Sequence, residues 1–395
     1  MFKVNKGYYQ IYRVFDLGEE IRLSEVKKNM SLVVNQNQWN VKQSPKQNII
    51  VKNPPLILSL PKTRLMINQK GFESTITAKL YDYGVCSLQF NIPIQDITAK
   101  DLMDMQADVE YNSNIDRIAE EKVRDIFIQI SSSIKNPMIW GVFEDYNIIF
   151  AQEISMTNHT KEVSSDDKKE HNEVFKGDPQ VLLDETLAKV LIGEKNVNLS
   201  KMMINETLSS TLQYSSSDIT VIDWNSAFVY DPQENNDICE LIEFVLTHQL
   251  EIRYYNQQLE HQKKVLYENI EIQSKNYWGI SNFFSKLSTQ ATQTYLDFSE
   301  FIAKVDNSLE TVGDVYLAKV IDAADNKFNK KLRNQLEKNL EELKDQSESL
   351  SHQLKSAQSN WLSLGILLLI ILELKYWDVV GPFIKTGFEW IKSLI

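Results

Sequence analysis

Thr75-Ile76-Thr77-Ala78-Lys79-Leu80-Tyr81-Asp82-Tyr83-Gly84-Val85-Cys86-Ser87-Leu88-Gln89-Phe90 reads as a β-hairpin. Branched and aromatic residues suit both runs to strands. Asp82-Tyr83-Gly84 divides them where glycine can supply a positive φ. Further strands are expected on either side. Tyr8-Tyr9-Gln10-Ile11-Tyr12-Arg13-Val14-Phe15 is rich in aromatic and branched residues, and Leu56-Ile57-Leu58-Ser59-Leu60 follows the Pro54-Pro55 break. After the hairpin, helical spacing runs through Leu102, Met105 and Val109 and on through Ile115, Ile118, Val123, Ile126 and Ile130. Tyr146 to Ile154 returns to strand. Residues 1–155 are therefore expected to form a mixed α/β domain.

Residues 156–180 carry Ser164-Ser165-Asp166-Asp167-Lys168-Lys169-Glu170-His171 and show no apolar period, the pattern of a polar mobile loop. Residues 181–232 continue the α/β region. They hold a short helix around Glu185 to Ile192 and one strand over Ile219 to Tyr230, closed by Asp231-Pro232. Residues 233–356 read as a long helical hairpin with a coiled-coil segment. Ile238, Leu241, Ile242, Val245, Ile252, Leu259, Leu266 and Ile270 mark its first helix, and Leu336, Leu343 and Leu350 stand seven apart in its last. So short a seam suits pairing with residues 238–272 of the same chain as well as a homo-oligomer.

Residues 357–377 are expected to form a transmembrane helix. Trp361 to Leu372 carries no charge, Ile366, Leu369 and Leu372 lie within it, and Trp361, Tyr376 and Trp377 stand at its two ends like interfacial rings. Its twelve residues reach only ~18 Å as a helix, against ~30 Å of hydrocarbon, so the span needs the flanking residues from Ala357 to Leu374. The alternative is a buried core helix. Beyond Gly381-Pro382, apolar residues recur at steps of three and four, as in an interfacial amphipathic helix over 379–395. The expected fold class is an α+β N-terminal region, then long antiparallel helices with a coiled-coil segment, then one C-terminal transmembrane helix. The N-terminus shows no signal-peptide pattern, which puts the N-terminal bulk on the cytoplasmic side of a single-pass membrane protein.

Composition narrows the function classes. A net charge of −12 argues against a general affinity for nucleic acid, because phosphate contact needs a local surplus of Lys and Arg. Residues 26–72 are the exception, holding no acidic residue but Lys27, Lys28, Lys42, Lys46, Lys52, Lys62, Arg64 and Lys70. That segment suits contact with anionic headgroups or phosphates, or else a solvated face with lysines spread over strands. Cys86 and Cys239 stand far apart with no ligand partner at metal spacing. No phosphate-binding glycine loop, His-Glu-x-x-His or Gly-x-Ser-x-Gly occurs, so no catalytic residue, cofactor or metal is assigned. The best polar candidates are Asp223, in an apolar strand where a carboxylate needs a partner, and Glu251 with Arg253. Structural pairing is the commoner fate of such residues.

Lys79-Leu80-Tyr81-Asp82-Tyr83-Gly84-Val85, Val221-Ile222-Asp223-Trp224-Asn225-Ser226-Ala227, Leu250-Glu251-Ile252-Arg253-Tyr254-Tyr255 and the apolar run ending Ile371-Leu372-Glu373 occur in this order. Together they resemble uncharacterised bacterial membrane-anchored proteins, similar in layout to the eukaryotic "required for meiotic nuclear division" (Rmd/Sif) family. The resemblance implies a large α+β and helical soluble region with a C-terminal anchor and, for mitochondrial members, tethering near the translation machinery. The expected function is that of a membrane-anchored, non-enzymatic scaffold. A channel or transport subunit using residues 357–395 and an enzyme with an unfamiliar site around Asp223 are the alternatives. Membrane lipid and a protein are the expected partners.

Overall fold

The computed structural model describes residues 1–29, 48–51, 53–156, 177–273, 309–312 and 315–345, with separate helical positions within 286–300, at Ser349 and within 363–370. The chain divides into two compact units. One joins Met1–Asn256 to Glu300–Leu336, and the other joins Gln257–Ser299 to Glu337–Ile395.

The first unit is built on an eight-stranded mixed sheet. Its early elements are β1 (Phe2–Asp16), β2 (Glu20–Ile21), α1 (Leu23–Asn29), β3 (Asn48–Val51), β4 (Leu56–Ile67), β5 (Lys70–Leu80) and β6 (Val85–Thr98). Next come α2 (Ala99–Glu110), α3 (Ser113–Ile130), β7 (Ile134–Lys135), β8 (Phe143–Met156), α4 (Glu185–Ile192) and α5 (Lys201–Thr207). After them follow β9 (Thr211–Leu212), β10 (Ile219–Ile222), β11 (Ser226–Tyr230), α6 (Asp237–Gln273), β12 (Leu309–Val312) and α7 (Val315–Phe328). Residues 330–345 are helical again. The strand order is β4-β5-β6-β1-β8-β11-β10-β9, with antiparallel neighbours except the parallel pair β8 and β11.

Both faces of the sheet are covered, so successive residues of the central strands are buried on opposite sides. On one face Tyr9, Ile11, Ile149 and Phe228 share a core with Leu102 and Val109 of α2, Ile115 and Val123 of α3, and Leu187 and Val190 of α4. On the other, Tyr12, Val14, Tyr146, Ile148 and Val229 meet Leu241, Ile242 and Val245 of α6 and Leu317, Val320 and Ala324 of α7. Local signals start and stop these helices. Thr98 and Asp101 form a reciprocal capping box on α2, and Asp184 caps α4, which ends at left-handed Gly193.

The β5–β6 hairpin turn is more than a connection. Gly84 has φ +101°, and its carbonyl accepts from Leu17 N at 2.9 Å while the Asp82 carbonyl accepts from Ile21 N at 2.8 Å. The segment after β1 is thereby tied to the hairpin tip. A Cβ on Gly84 would lie 1.7 Å from the Gly18 carbonyl oxygen, an approach that only glycine permits.

α6 is seated by charge as well as by apolar contact. Lys79 sits on β5 and is 4% exposed. Its Nζ donates to Glu243 Oε2 at 2.8 Å and lies 3.7 Å from Glu240 Oε1. Burial alone would drive off its proton, but Glu243 and Glu240 together hold its pKa above the ordinary lysine value. One turn further, Thr247 Oγ1 donates to the Phe244 carbonyl at 2.6 Å, which leaves it to accept from Tyr83 OH, also at 2.6 Å.

The second unit contains a helix pair. Leu259 on α6 is buried, as are Leu340 and Leu343. Lys263 Nζ donates to Asn339 Oδ1 at 3.2 Å and pairs with Glu342. In the first unit, Leu336 is buried and Asn256 Nδ2 donates to the Leu332 carbonyl at 3.1 Å. Thus Leu336 and Leu343 of the seven-residue seam are buried within one chain. Leu350 lies outside the described residues.

Three expectations are corrected. The fold is a large mixed sheet with helices, and the expected C-terminal transmembrane helix finds no support in it. No helix among the described residues is long and apolar enough to cross a membrane. The physical reason is the shortness of the run from Trp361 to Leu372, ~18 Å as a helix where ~30 Å is needed. Within it Ser363, Gly365, Ile366, Leu367, Leu368 and Ile370 are helical and exposed, while Trp361, Leu369, Leu372, Tyr376, Trp377 and residues 379–395 lie outside the described residues. The single-pass location and the tail-anchored reading lose their support with it. Finally, Ile219 to Tyr230 is two antiparallel strands, because Asp223-Trp224-Asn225 makes a turn between β10 and β11. The proposed mobile loop lies largely outside the described residues.

Two substitutions probe these contacts. Gly84→Ala should cost more than about 1 kcal/mol in urea unfolding, through its positive φ and the clash with Gly18. Lys79→Ala should cost about 3–5 kcal/mol by stranding Glu243, and the double variant Lys79→Met/Glu243→Leu should recover most of that.

Candidate functional site

The turn between β10 and β11 is held from several sides. Asp223 N donates to the Ser226 carbonyl at 2.8 Å, closing the turn, and Asn147 N of β8 donates to the Asn225 carbonyl at 3.2 Å. Tyr146 OH, also on β8, donates to the Asp223 carbonyl at 2.8 Å. Ser226 Oγ donates to the Leu191 carbonyl at 2.8 Å, which uses an orphan acceptor at the end of α4. From α7, Lys327 Nζ lies 3.4 Å from Asp223 Oδ1 and donates to the Glu206 carbonyl in α5 at 2.9 Å.

Within this frame Asp223, Asn225 and Ser226 are buried, yet Trp224 between them is 59% exposed. Strand alternation does not account for it, since the turn sets the direction of the side chain. Burial raises the pKa of Asp223, while Lys327 and the Trp224 N–H oppose the rise. The carboxylate therefore serves as a clamp between the turn and α7.

The other polar candidates are placed apart from Asp223, each with its own surroundings. Arg253 Nε lies 2.8 Å from Glu144 Oε1, and burial still pushes Glu144 up to about 7 against the pull of that guanidinium. Glu251 is 5% exposed, and its Oε1 has no hydrogen-bond partner among the described residues. Burial and then the charge of Asp16 raise its pKa well above the usual carboxylate range. Asp16 closes β1, is 4% exposed, and its Oδ1 accepts from Gly18 N at 2.9 Å. Burial pushes it up to about 7, opposed by the Gly18 N–H. Neither Asp16 nor the buried pair Lys79 and Glu243 was a sequence candidate. The available signal was a lysine one residue from Leu80 in an apolar strand, together with glutamates inside the apolar stripe of α6.

The basic residues of 26–72 are only partly visible. Lys62, Arg64 and Lys70 lie on the β4–β5 hairpin, where Arg64 stands opposite Glu73 and its guanidinium covers Gly71. Lys42, Lys46 and Lys52 lie outside the described residues. Among the described residues, no group of three or more His, Cys, Asp and Glu side chains is arranged to hold a metal ion.

Comparison with known proteins places this geometry in a family. An uncharacterised protein of Methanocaldococcus jannaschii, MJ0711, is 24% identical over 225 residues, covering 53% of this chain and 67% of its own. No solved structure matches. The family described as "Uncharacterized protein MJ0711, N-terminal domain" matches residues 6–237, from β1 through the Trp224 turn to the first residue of α6, and the chain belongs to that family.

Proposed function

We propose that this protein is a non-enzymatic interaction scaffold that captures a protein partner at the Trp224 turn. The observation that carries the reading is a large exposed indole on a turn fixed by hydrogen bonds from β8, α4 and α7. Tryptophan supplies much of the energy at protein interfaces, and a side chain on an already rigid turn loses little freedom on binding. The surrounding polar groups serve the turn. Asp223 binds Lys327, Ser226 binds the end of α4, and the backbone of Asn225 binds β8.

A second reading, acid–base chemistry at Asp223, draws on its raised pKa beside a lysine. The two readings separate by experiment. In crosslinking and affinity capture from cells with the full chain, Trp224→Ala should lower recovery of a specific partner at least about tenfold while thermal unfolding stays unchanged. Asp223→Asn should lower stability and leave partner recovery by the folded fraction intact. Wild-type recovery by Trp224→Ala would refute the scaffold reading at this turn. A turnover lost in a folded Asp223→Asn variant would support the enzymatic one.

A further inference from the structure

His248 stands where α6 meets the turn of the β5–β6 hairpin. It is 3% exposed, and its ring meets Phe244 edge-on at 4.2 Å and Tyr83 of the turn at 5.9 Å. Beside it Tyr83 OH and Thr247 Oγ1 lie 2.6 Å apart, and the Tyr83 ring meets that of Tyr81 at 5.3 Å. Nε2 of His248 is buried without a hydrogen-bond partner among the described residues. A neutral imidazole tolerates this setting, since one of its nitrogens carries no proton. An imidazolium carries a proton on both and needs an acceptor at each. Attraction of a cation to the rings of Phe244 and Tyr83 is smaller than the cost of taking an unpaired charge out of water.

Other segments hang on the same turn. Leu17 N donates to the Gly84 carbonyl at 2.9 Å and Ile21 N to the Asp82 carbonyl at 2.8 Å, while Asn53 Nδ2, ahead of β4, donates to Asp82 Oδ2 at 2.8 Å. Whatever loosens the turn from α6 therefore also loosens the segment after β1.

We propose that His248 is an acid-sensitive latch, which holds α6 to the β5–β6 turn while it is neutral and releases the turn, with the segment after β1, when it takes a proton. The Trp224 turn takes no part in it.

The charged and titratable groups around the ring come from three elements. Tyr83 and Asp82 belong to the hairpin turn, and Asp82 is engaged by Asn53. Arg333, from the helix over 330–345, is itself a cation. On α6, Glu243 is engaged by Lys79, and burial holds the pKa of Glu251 well above the usual carboxylate range, so it stays protonated in acid. Burial and then the charge of Arg333 lower the pKa of His248 from 6.5 to about 3. Between those values the folded chain binds fewer protons than the opened one, so the stability His248 contributes is present above 6.5 and lost as pH falls toward 3. Asp16, Glu144 and Glu251 are raised by burial and act in the opposite direction, so the effect of His248 shows in the local contact and not in global stability.

Hydrogen exchange of the Leu17 and Ile21 amides in the full chain, corrected for intrinsic rates, reads the contacts of the turn. Between about pH 7 and about pH 4.5 wild-type protection should fall at least about tenfold, and His248→Phe, whose ring cannot take a proton, should abolish the fall. His248→Gln is the second variant, neutral and smaller. His261→Phe, at an exposed position of the same helix, should leave the fall in place. The Cε1 proton of His248, assigned in NMR spectra by its loss in the variants, should not titrate between about pH 8 and about pH 5. Titration of His248 at about pH 6.5 in the folded chain would overturn the proposal, as would equal wild-type protection at the two pH values, or a fall kept in both His248 variants or lost in His261→Phe.

Discussion

A lysine ammonium buried on one strand and a glutamate buried on one helix, 164 residues apart, hold the first unit together across its central interface. Lys79 and Glu243 are both buried, so removing either one strands the other away from water. That mutual dependence fixes the rotation of α6. Turning the helix by one residue would carry Glu243 away from Nζ by ~100° and leave two buried charges unpaired. Apolar contacts alone would be more tolerant, because Ile and Leu accept neighbouring positions at modest cost.

The same interface contains its own opposition. Lys79 answers Glu243 and Glu240, whereas Glu251, buried on the same helix, keeps one carboxyl oxygen without a hydrogen-bond partner among the described residues. The turn at Asp223-Trp224-Asn225 shows the opposite design. There Asp223, Ser226 and the backbone of Asn225 are bound to neighbouring elements, and the one large side chain left over, Trp224, faces solvent.

Much of the architecture was legible in the residues. The glycine of Asp82-Tyr83-Gly84 marked a hairpin, the three-and-four spacing from Leu102 to Ile130 marked helices, and Tyr8 to Phe15 marked a strand. These are local properties, set by backbone freedom and by the period with which one face meets a core. Reading failed where chemistry was ambiguous over a short window. Ile219 to Tyr230 looked continuous because apolar residues flank both sides of the turn, and three turn-forming residues were outweighed by nine others. The apolar run from Trp361 to Leu372, extended by its flanks over 357–377, suits a membrane span in composition, yet no helix among the described residues is long and apolar enough to cross a membrane. Asp223, Glu251 and Arg253 were found as polar residues in apolar surroundings, but not their partners.

Sequence by itself determined the hairpin, the principal strands and helices, and the presence of polar residues that would need burial partners. Tertiary structure alone decided the rest: that Lys79 meets Glu243, that Asp223 meets Lys327 and Arg253 meets Glu144, and that Trp224 is left in solvent. The reason is physical. Backbone preference and amphipathic period act over a few residues and are written in the order of the chain, whereas an ion pair or a carboxyl repulsion depends on distance in space. Strand order and helix rotation bring residues more than a hundred positions apart to 2.8–3.4 Å.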